Sequence, residues 1–559
     1  MTLDGATVEV VRSYLAAAAE EMRTTLIRTA FNPVIYEVLD FGLSIYDAEA
    51  RLIAEAPGLT FFLGANDFSI VKGIEYVGRD SIHPGDVILL NYPYWNAAHS
   101  YDATLFSAVH LPDGTHVGYV CVRAHWMDLG AKDPGYVLDS TDVHQEGLLF
   151  PGTKVFSRGE PVEPILELIR FNSRMPDLVI GDLNAQVSAL RTGERRLVEI
   201  IEKFGRDVVD EAIEIVRRQS AQRTRERLLA LPQGSWTASD ILDDDGITSD
   251  PIHMQVTVTI ADGTMTVDFD GSAPAAAGPV NMPFGATMAM CKVVLKALTS
   301  PDEPSNAGTT EPLIVRADPG TLFHAVYPAP TFTLWTGIVA LELVYKALAI
   351  GMPDRLSASS GGDVPGFMNL GTHPETGQFF AISNNDPVGW GGTPEHDGLN
   401  ATIHLSESTV RSTPIEVLES VSVMRFERVE MRTDSGGAGR HRGGVGIRRD
   451  IRFTSASELL AVVKKTRSAP WALEGGHQPD PTQVIAYADS DRARPISTTR
   501  LPVVDGDLVR LLTAGGGGHG DPRLRDHQLI QHDVEEGYVS EQAAAEVYGW
   551  KPDVRERHG

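Results

Sequence analysis

Residues 91–146 hold the densest group of side chains able to do chemistry. They contain His99-x-x-Asp102, then His125-x-x-Asp128, then His144-x-Glu146, with Asn91-x-Pro-Tyr94 just ahead. Imidazole and carboxylate together are the donor set of zinc, manganese and iron(II) sites, and catalytic versions keep one coordination position for water or substrate. Water on such an ion is a nucleophile at neutral pH, as hydrolysis requires. The chain has 17 histidines, so some His-x-x-Asp pairs arise by chance and spacing alone does not choose the ligands. The setting is more telling, because the two His-x-x-Asp pairs flank one hairpin.

That hairpin is read from two apolar runs, residues 104–110 and 117–122, separated by Pro112-Asp-Gly114. A turn of this composition between two runs of strand character predicts antiparallel neighbours. Pairing sets the start of the first strand beside the end of the second, so His99, Asp102 and His125 can converge. Other short strands are expected at 43–47 and 87–91, and a helix with apolar residues at helical spacing at 7–30, stopped by Asn32-Pro33. Long amphipathic helices are expected over 182–204 and 207–229, a hairpin over 254–269, and buried helices over 283–300 and 331–352. Short strands and glycine turns follow from about 421 to 520, then a last helix near 540–548. The fold class is α+β, multi-domain, with antiparallel hairpins around the site and a β-rich C-terminal region. The expected domains are 1–235, 236–420 and 421–559.

Composition narrows the functions. The net charge of −27, from 48 basic and 75 acidic residues, disfavours nucleic acid and anionic membrane surfaces as partners. Two distant cysteines, Cys121 and Cys291, suit a reducing cytoplasm rather than a disulfide framework. The start of the chain carries no secretory pattern, and the longest apolar run, 334–352, contains Glu342 and Lys346, which fits a buried helix better than a membrane span. No phosphate loop, nucleophile elbow or H-E-x-x-H motif is present, and Gly515-x-Gly517-x-x-Gly520 has too little chain after it for a dinucleotide unit. The run 434–446 has the glycine content of tight backbone packing or subunit contact. Pro328–Trp335 and Asn384-Asn-Asp-Pro387 are candidate pocket linings.

Several longer motifs stand in a fixed order: residues 38–47 (Val-Leu-Asp-Phe-Gly-Leu-Ser-Ile-Tyr-Asp), Asn91-x-Pro-Tyr94, His99-x-x-Asp102, Gln145-Glu-Gly147, Gly181-Asp-Leu-x-Ala-Gln186, Pro304-Ser-Asn-Ala-Gly308, Asp434-Ser-Gly-Gly-Ala-Gly439 and residues 515–522. By these the chain resembles the hydantoinase B/oxoprolinase family, whose relatives include acetone and acetophenone carboxylase subunits. The resemblance implies four metal ligands, Asp40, His99, Asp102 and His125, and so adds Asp40, which spacing does not select. It implies one divalent ion, zinc or alternatively manganese or iron. Asp128 and His144 then fall to supporting roles, as a general base or as groups orienting a ligand.

The same resemblance implies a partner, a hydantoinase A-type subunit that binds ATP, and so a hetero-oligomer acting on a small molecule. The implied reaction is ATP-dependent opening of a cyclic amide such as a hydantoin, oxoproline or lactam, with metal-bound water attacking a carbonyl that the partner has phosphorylated. An ATP-dependent ketone carboxylase subunit is the alternative, and a scaffold with a structural metal is a third. The chain departs from the family pattern at Tyr92, at Asn96-Ala-Ala98 and at Leu129-Gly-Ala131. These positions flank the ligands and bear on substrate choice.

Overall fold

Asp4 accepts the Thr7 N–H at 3.0 Å and so caps helix α1 (Gly5–Thr29), which buries Val8, Val11, Leu15, Ala18, Met22 and Leu26 along one stripe. Asn32 caps a single turn, α2 (Pro33–Tyr36), and Leu39 at φ 69 then swings the chain into strand β1 (Phe41–Asp47). The computed structural model describes residues 3–333, 335–407 and 409–551.

The central sheet is built from β1, β2 (Leu52–Ala56), β3 (Val87–Leu90), β4 (Asp102–His110), β5 (His116–His125), β6 (Pro151–Ser157) and β7 (Glu160–Pro161). Their order is β2-β1-β5-β4-β3-β6-β7, with every pairing antiparallel. The expected hairpin is β4–β5. Both strands run further toward the site than their apolar runs indicate, because pairing of β5 with β1 continues the ladder through Arg123 and Ala124. The turn is fixed by Thr115 N–H donating to Asp113 Oδ1 at 2.9 Å and by Gly114 at φ 87, a value that suits glycine.

One face of this sheet packs on α1 and on α6 (Pro176–Phe204), which follows α5 (Glu163–Phe171); Val120, Val122, Leu105, Leu183 and Leu190 are fully buried there. A Cβ on Gly193 would lie 2.5 Å from Met22 Sδ, so glycine allows α1 and α6 to approach this closely. The other face packs on α3 (Thr60–Val77) through Ile70, Ile74, Ile88, Phe106 and Cys121. Burial on both faces explains why β1 is apolar or small almost throughout rather than alternating.

After α7 (Arg206–Leu229), a second sheet of β8 (Gly234–Leu242), β9 (Ile252–Ala261), β10 (Thr264–Asp268) and β11 (Leu313–Arg316) packs on two helices. These are α8 (Phe284–Thr299) and α9 (Trp335–Gly351). The long apolar run is thus a buried helix; Leu334, at its start, lies outside the described residues. No helix among the described residues is long and apolar enough to cross a membrane. A third sheet joins β12 (Gly366–Thr372) and β13 (Phe379–Asn385) to strands at Ser457–Val462 and Thr499–Val503, so strands before and after residue 420 share one sheet. A five-stranded sheet and two terminal helices, His527–Glu535 and Glu541–Tyr548, complete the chain; the first of these helices was not anticipated from sequence. The architecture is α+β with several antiparallel sheets.

The glycine-rich runs interleave as backbone against backbone. A Cβ on Gly443 would lie 1.9 Å from Gly516 O, and one on Gly516 would lie 1.9 Å from Trp390 O. The 515–520 run is therefore a packing element, and it pins residues 358–360 through Gly517 N–H donating to Ser359 O at 2.9 Å.

Candidate metal centre

Three neighbouring strands bring three of the four expected ligands to one end of the central sheet. The register sets Asp102, first residue of β4, directly opposite His125, last residue of β5. On the other side of β5, Phe41 pairs with Ala124, so Asp40 stands beside His125, whose N–H donates to Asp40 O at 3.3 Å. His99 enters from the turn before β4, closed by Asp102 N–H donating to His99 O at 3.2 Å. This turn follows the one-turn helix α4 (Pro93–Asn96), which ends on Ala97 at φ 55. Leu39 and Ala97 are thus non-glycine residues in the left-handed region, next to Asp40 and two before His99 respectively. Such conformations cost about 1–3 kcal/mol each and persist where the surroundings enforce them.

Here the enforcement is polar. Asn96 donates to Asp102 O at 2.6 Å and accepts from Thr104 Oγ1 at 2.7 Å, while Asn91 donates to Ser100 O at 2.6 Å. Arg123 is buried beside them, donating to Asn96 O at 2.5 Å, Ser69 Oγ at 2.6 Å and Thr104 Oγ1 at 3.0 Å, with its guanidinium over Phe62. Gln186 and Asp182 hold the sheet end from α6. Gln186 donates to Ala103 O and Val122 O at 2.9 and 3.0 Å, and Asp182 accepts the Phe31 and Asn32 N–H groups at 2.8 and 3.1 Å.

His125 Nδ1 lies 3.1 Å from Asp102 Oδ1, and His99 Nε2 lies 3.4 Å from Asp102 Oδ2. One donor atom from each of His99, Asp102 and His125 falls within 4.8 Å of the others, and all three residues are buried. Asp40 lines the same cavity of about 70 Å³. Its Oδ1 and Asp102 Oδ2 are buried and accept no hydrogen bond. The plane of His99 is set by Phe332, stacked at 4.7 Å, and by Tyr101 N–H, 3.2 Å from Nδ1. A cation taking the Nε2 lone pair would leave the ring proton on Nδ1 and displace that backbone contact.

The electrostatics of these residues suit a bound cation. Burial lifts Asp40 to about 7, with His125 opposing the shift and Asp102 adding to it. Burial pushes His99 down to about 4, so its imidazole is neutral at pH 7, the form that binds metals. Burial also works against the charged form of His125, but the Asp102 hydrogen bond and the Asp102 and Asp40 charges outweigh it and hold this group above its ordinary value. Two orphaned carboxylate oxygens beside two imidazoles match the donor set of a divalent ion. The residues present therefore fit such an ion.

The remaining expectations divide. Asp128 is fully buried, but Arg174 Nε and NH2 contact its two oxygens at 2.9 and 2.8 Å, and the Arg174 and Gly130 N–H groups donate to it at 2.5 and 3.1 Å. It does not line the cavity, and its link to the site is Tyr101 O–H, donating at 3.3 Å. His144 is exposed, touches Tyr327 O–H at 2.9 Å and is also outside the cavity. The structure therefore does not bring either into contact with the four expected ligands. Trp335, Asn384 and Asn385 do line the cavity, as do Val34, Val38, Phe61, Phe62 and Ile338. Sequence reasoning missed Ser406 and Glu407, which also line it. Burial, then the charges of Asp40, Asp363 and Asp102, raise Glu407 to about 8. The stretch around Leu405-Ser-Glu407 carries no motif that would single it out.

The chain thus combines a central antiparallel sheet ending in this donor cluster with glycine-rich loops stacked backbone on backbone. The chain belongs to the hydantoinase B/oxoprolinase family, whose model matches residues 4–522. It is 30% identical to a putative B-type D-/L-hydantoinase subunit of Pseudomonas sp. (strain NS671), over 98% of this chain and 95% of that protein. The crystal structure of ATP-dependent caprolactamase from Pseudomonas jessenii superposes with a TM-score of 0.90 at 27% identity, covering 99% of this chain and 97% of that one. Nucleotide-free acetone carboxylase matches with a TM-score of 0.87 at 18% identity, over 98% of this chain and 79% of that one, a likeness of fold.

Proposed function

We propose that this chain is the metal-bearing B-type subunit of an ATP-dependent hydrolase that opens a cyclic amide. The observation that carries this reading is the convergence of Asp40, His99, Asp102 and His125 at one apolar-walled cavity, in a chain similar over nearly its whole length to a B-type hydantoinase subunit and to an ATP-dependent caprolactamase. A divalent ion bound there, zinc in the first instance, would supply Lewis acidity and lower the pKa of water.

The chain's own residues do the rest. Phe61, Phe62, Trp335 and Ile338 exclude bulk water and favour a ring of low polarity. Phe332 holds His99 in plane, and Arg123 sets a fixed positive charge behind Asp102. Asp128 acts as a positioning group, clamping the 128–133 loop and Tyr101 through Arg174. The amide carbon is a poor electrophile, and its activation by phosphorylation is assigned to an ATP-binding partner of the hydantoinase A type. A hetero-oligomer follows from that assignment.

Reconstitution with the presumed partner tests the reading. ATP hydrolysis coupled to ring opening of a hydantoin, oxoproline or lactam is the expected result. ATP consumption that instead requires bicarbonate and a ketone would replace it with the carboxylase reading.

A further inference from the structure

Glu342 alone is charged among the buried residues of helix α9, and that carboxylate ends a hydrogen-bonded chain leading back to the cavity. Glu342 Oε1 accepts the Ser360 N–H at 2.8 Å and lies 3.1 Å from His404 Nε2. His404 Nδ1 in turn lies 2.9 Å from Ser406 Oγ, and Ser406 lines the cavity that holds the four ligands. All three side chains are buried, with His404 fully so.

The polarity of the chain is fixed by one backbone group. Ser406 N–H points at His404 Nδ1 at 3.3 Å, which makes Nδ1 an acceptor and leaves the ring proton on Nε2, facing Glu342. The remaining direction is Ser406 O–H donating to Nδ1. This is the order of an activated hydroxyl: hydroxyl to imidazole, imidazole to carboxylate. Glu342 Oε2 is buried and accepts no hydrogen bond, so the carboxylate retains capacity to stabilise a positive charge on the ring. Satisfaction of a buried histidine alone would need only its two partners; it does not require an end opening into the reaction cavity.

We infer that Ser406, His404 and Glu342 form a proton relay for the reaction at this cavity, with Ser406 the group that touches substrate. The inference rests on the hydrolase reading. As water attacks, its oxygen bonds to the amide carbon, its proton passes to Ser406 Oγ, and the Ser406 proton passes to His404 Nδ1, whose imidazolium Glu342 stabilises. When the C–N bond breaks, its electron pair stays on nitrogen, which takes one proton from Ser406 as His404 returns one to Oγ, and a second from the newly added hydroxyl as it becomes a carbonyl. The phosphoryl group stays on the original carbonyl oxygen, and a second water hydrolyses that acyl phosphate to the carboxylate and phosphate. The three residues end as they began, and no electrons are exchanged. His404 and Glu342 act through Ser406 and are positioning residues. The glycine stack contributes by fixing residues 358–360, from which Ser360 holds Glu342.

The test has two arms. In the metal-loaded full chain, side-chain ¹⁵N NMR of histidine is expected to show His404 as the Nε2–H tautomer, with its Nδ1 resonance shifting in Ser406→Ala. In the complex with its partner, Ser406→Ala is expected to lower kcat by about 100- to 1,000-fold with KM and metal content held, and Ser406→Thr to restore much of it. The Nδ1–H tautomer, or Ser406→Ala turnover at the wild-type rate, would overturn the relay. A wild-type complex that opens no cyclic amide would count against the hydrolase reading instead, and the tautomer arm would still decide the relay.

Discussion

Asp102 and His125 are direct cross-strand partners, with Asp102 Oδ1 3.1 Å from His125 Nδ1 at the end of the β4–β5 ladder. The register of one hairpin thus sets the distance between two proposed metal ligands, and the adjoining strand adds Asp40. Replacing Asp102 by Asn keeps the shape but removes the charge both histidines face. Metal affinity is expected to fall by about 100-fold or more, at least the loss typical of changing a group behind a ligand. Competition with a chelator measures it, alongside circular dichroism that should not change.

Metal binding should release a proton near neutrality. Asp40, lifted to about 7, must be ionised to ligate, so affinity is expected to rise as pH passes upward through that value, with proton release visible in two calorimetric buffers.

Stability of the metal-free chain carries the matching sign. Asp40 and Glu407 have folded values near 7 and 8, above their ordinary 3.8 and 4.5, so in that window the folded state binds more protons and loses stability as pH rises. His99 acts oppositely, because its folded value of about 4 lies below 6.5 and its contribution grows with pH up to 6.5. Above about pH 6.5 only the carboxylate sign remains for this cluster, so the midpoint of thermal unfolding should fall toward about pH 8 and recover on metal addition.

Glu146 has a structural task. Its Oε1 accepts from Ser140 Oγ at 2.7 Å and from the Thr331 and Phe332 N–H groups at 2.8 and 3.1 Å. It ties the 140–147 loop to the segment whose Phe332 stacks on His99. Glu146→Ala leaves those donors buried without an acceptor and is expected to cost about 3 kcal/mol, read by denaturant unfolding.

Asp128→Asn and His144→Ala should part company. The first breaks the buried contact with Arg174 and is expected to destabilise the chain by about 3 kcal/mol. The second removes an exposed ring and is expected to stay within about 0.5 kcal/mol, with metal content unchanged in both. Loss of metal from His144→Ala would place that ring at the centre.

What was legible in the sequence followed period and punctuation. The hairpin, the long helices and the apolar run around Glu342 announced themselves through spacing and turn residues, and His99, Asp102 and His125 came with the hairpin. Asp40 did not, because its placement depends on the pairing of Phe41 with Ala124, a contact between distant segments. The third sheet was hidden for the same reason: β12 finds its partner at Ser457–Val462, and no local pattern encodes that. Asp128 reads as a supporting group from the second His-x-x-Asp pair, and nothing local shows that Arg174, remote in sequence, holds its carboxylate. Ser406 and Glu407 reach the cavity on a turn with no periodicity of its own.

Metal analysis of the purified chain, by inductively coupled plasma mass spectrometry with single variants at Asp40, His99, Asp102 and His125, tests the central claim most directly. One divalent ion per chain in the wild type, lost or strongly reduced in His99→Ala and in each other single variant while the fold persists, is the result this account predicts. A wild-type chain that binds no divalent ion when one is supplied, or full metal content in all four variants, would contradict it.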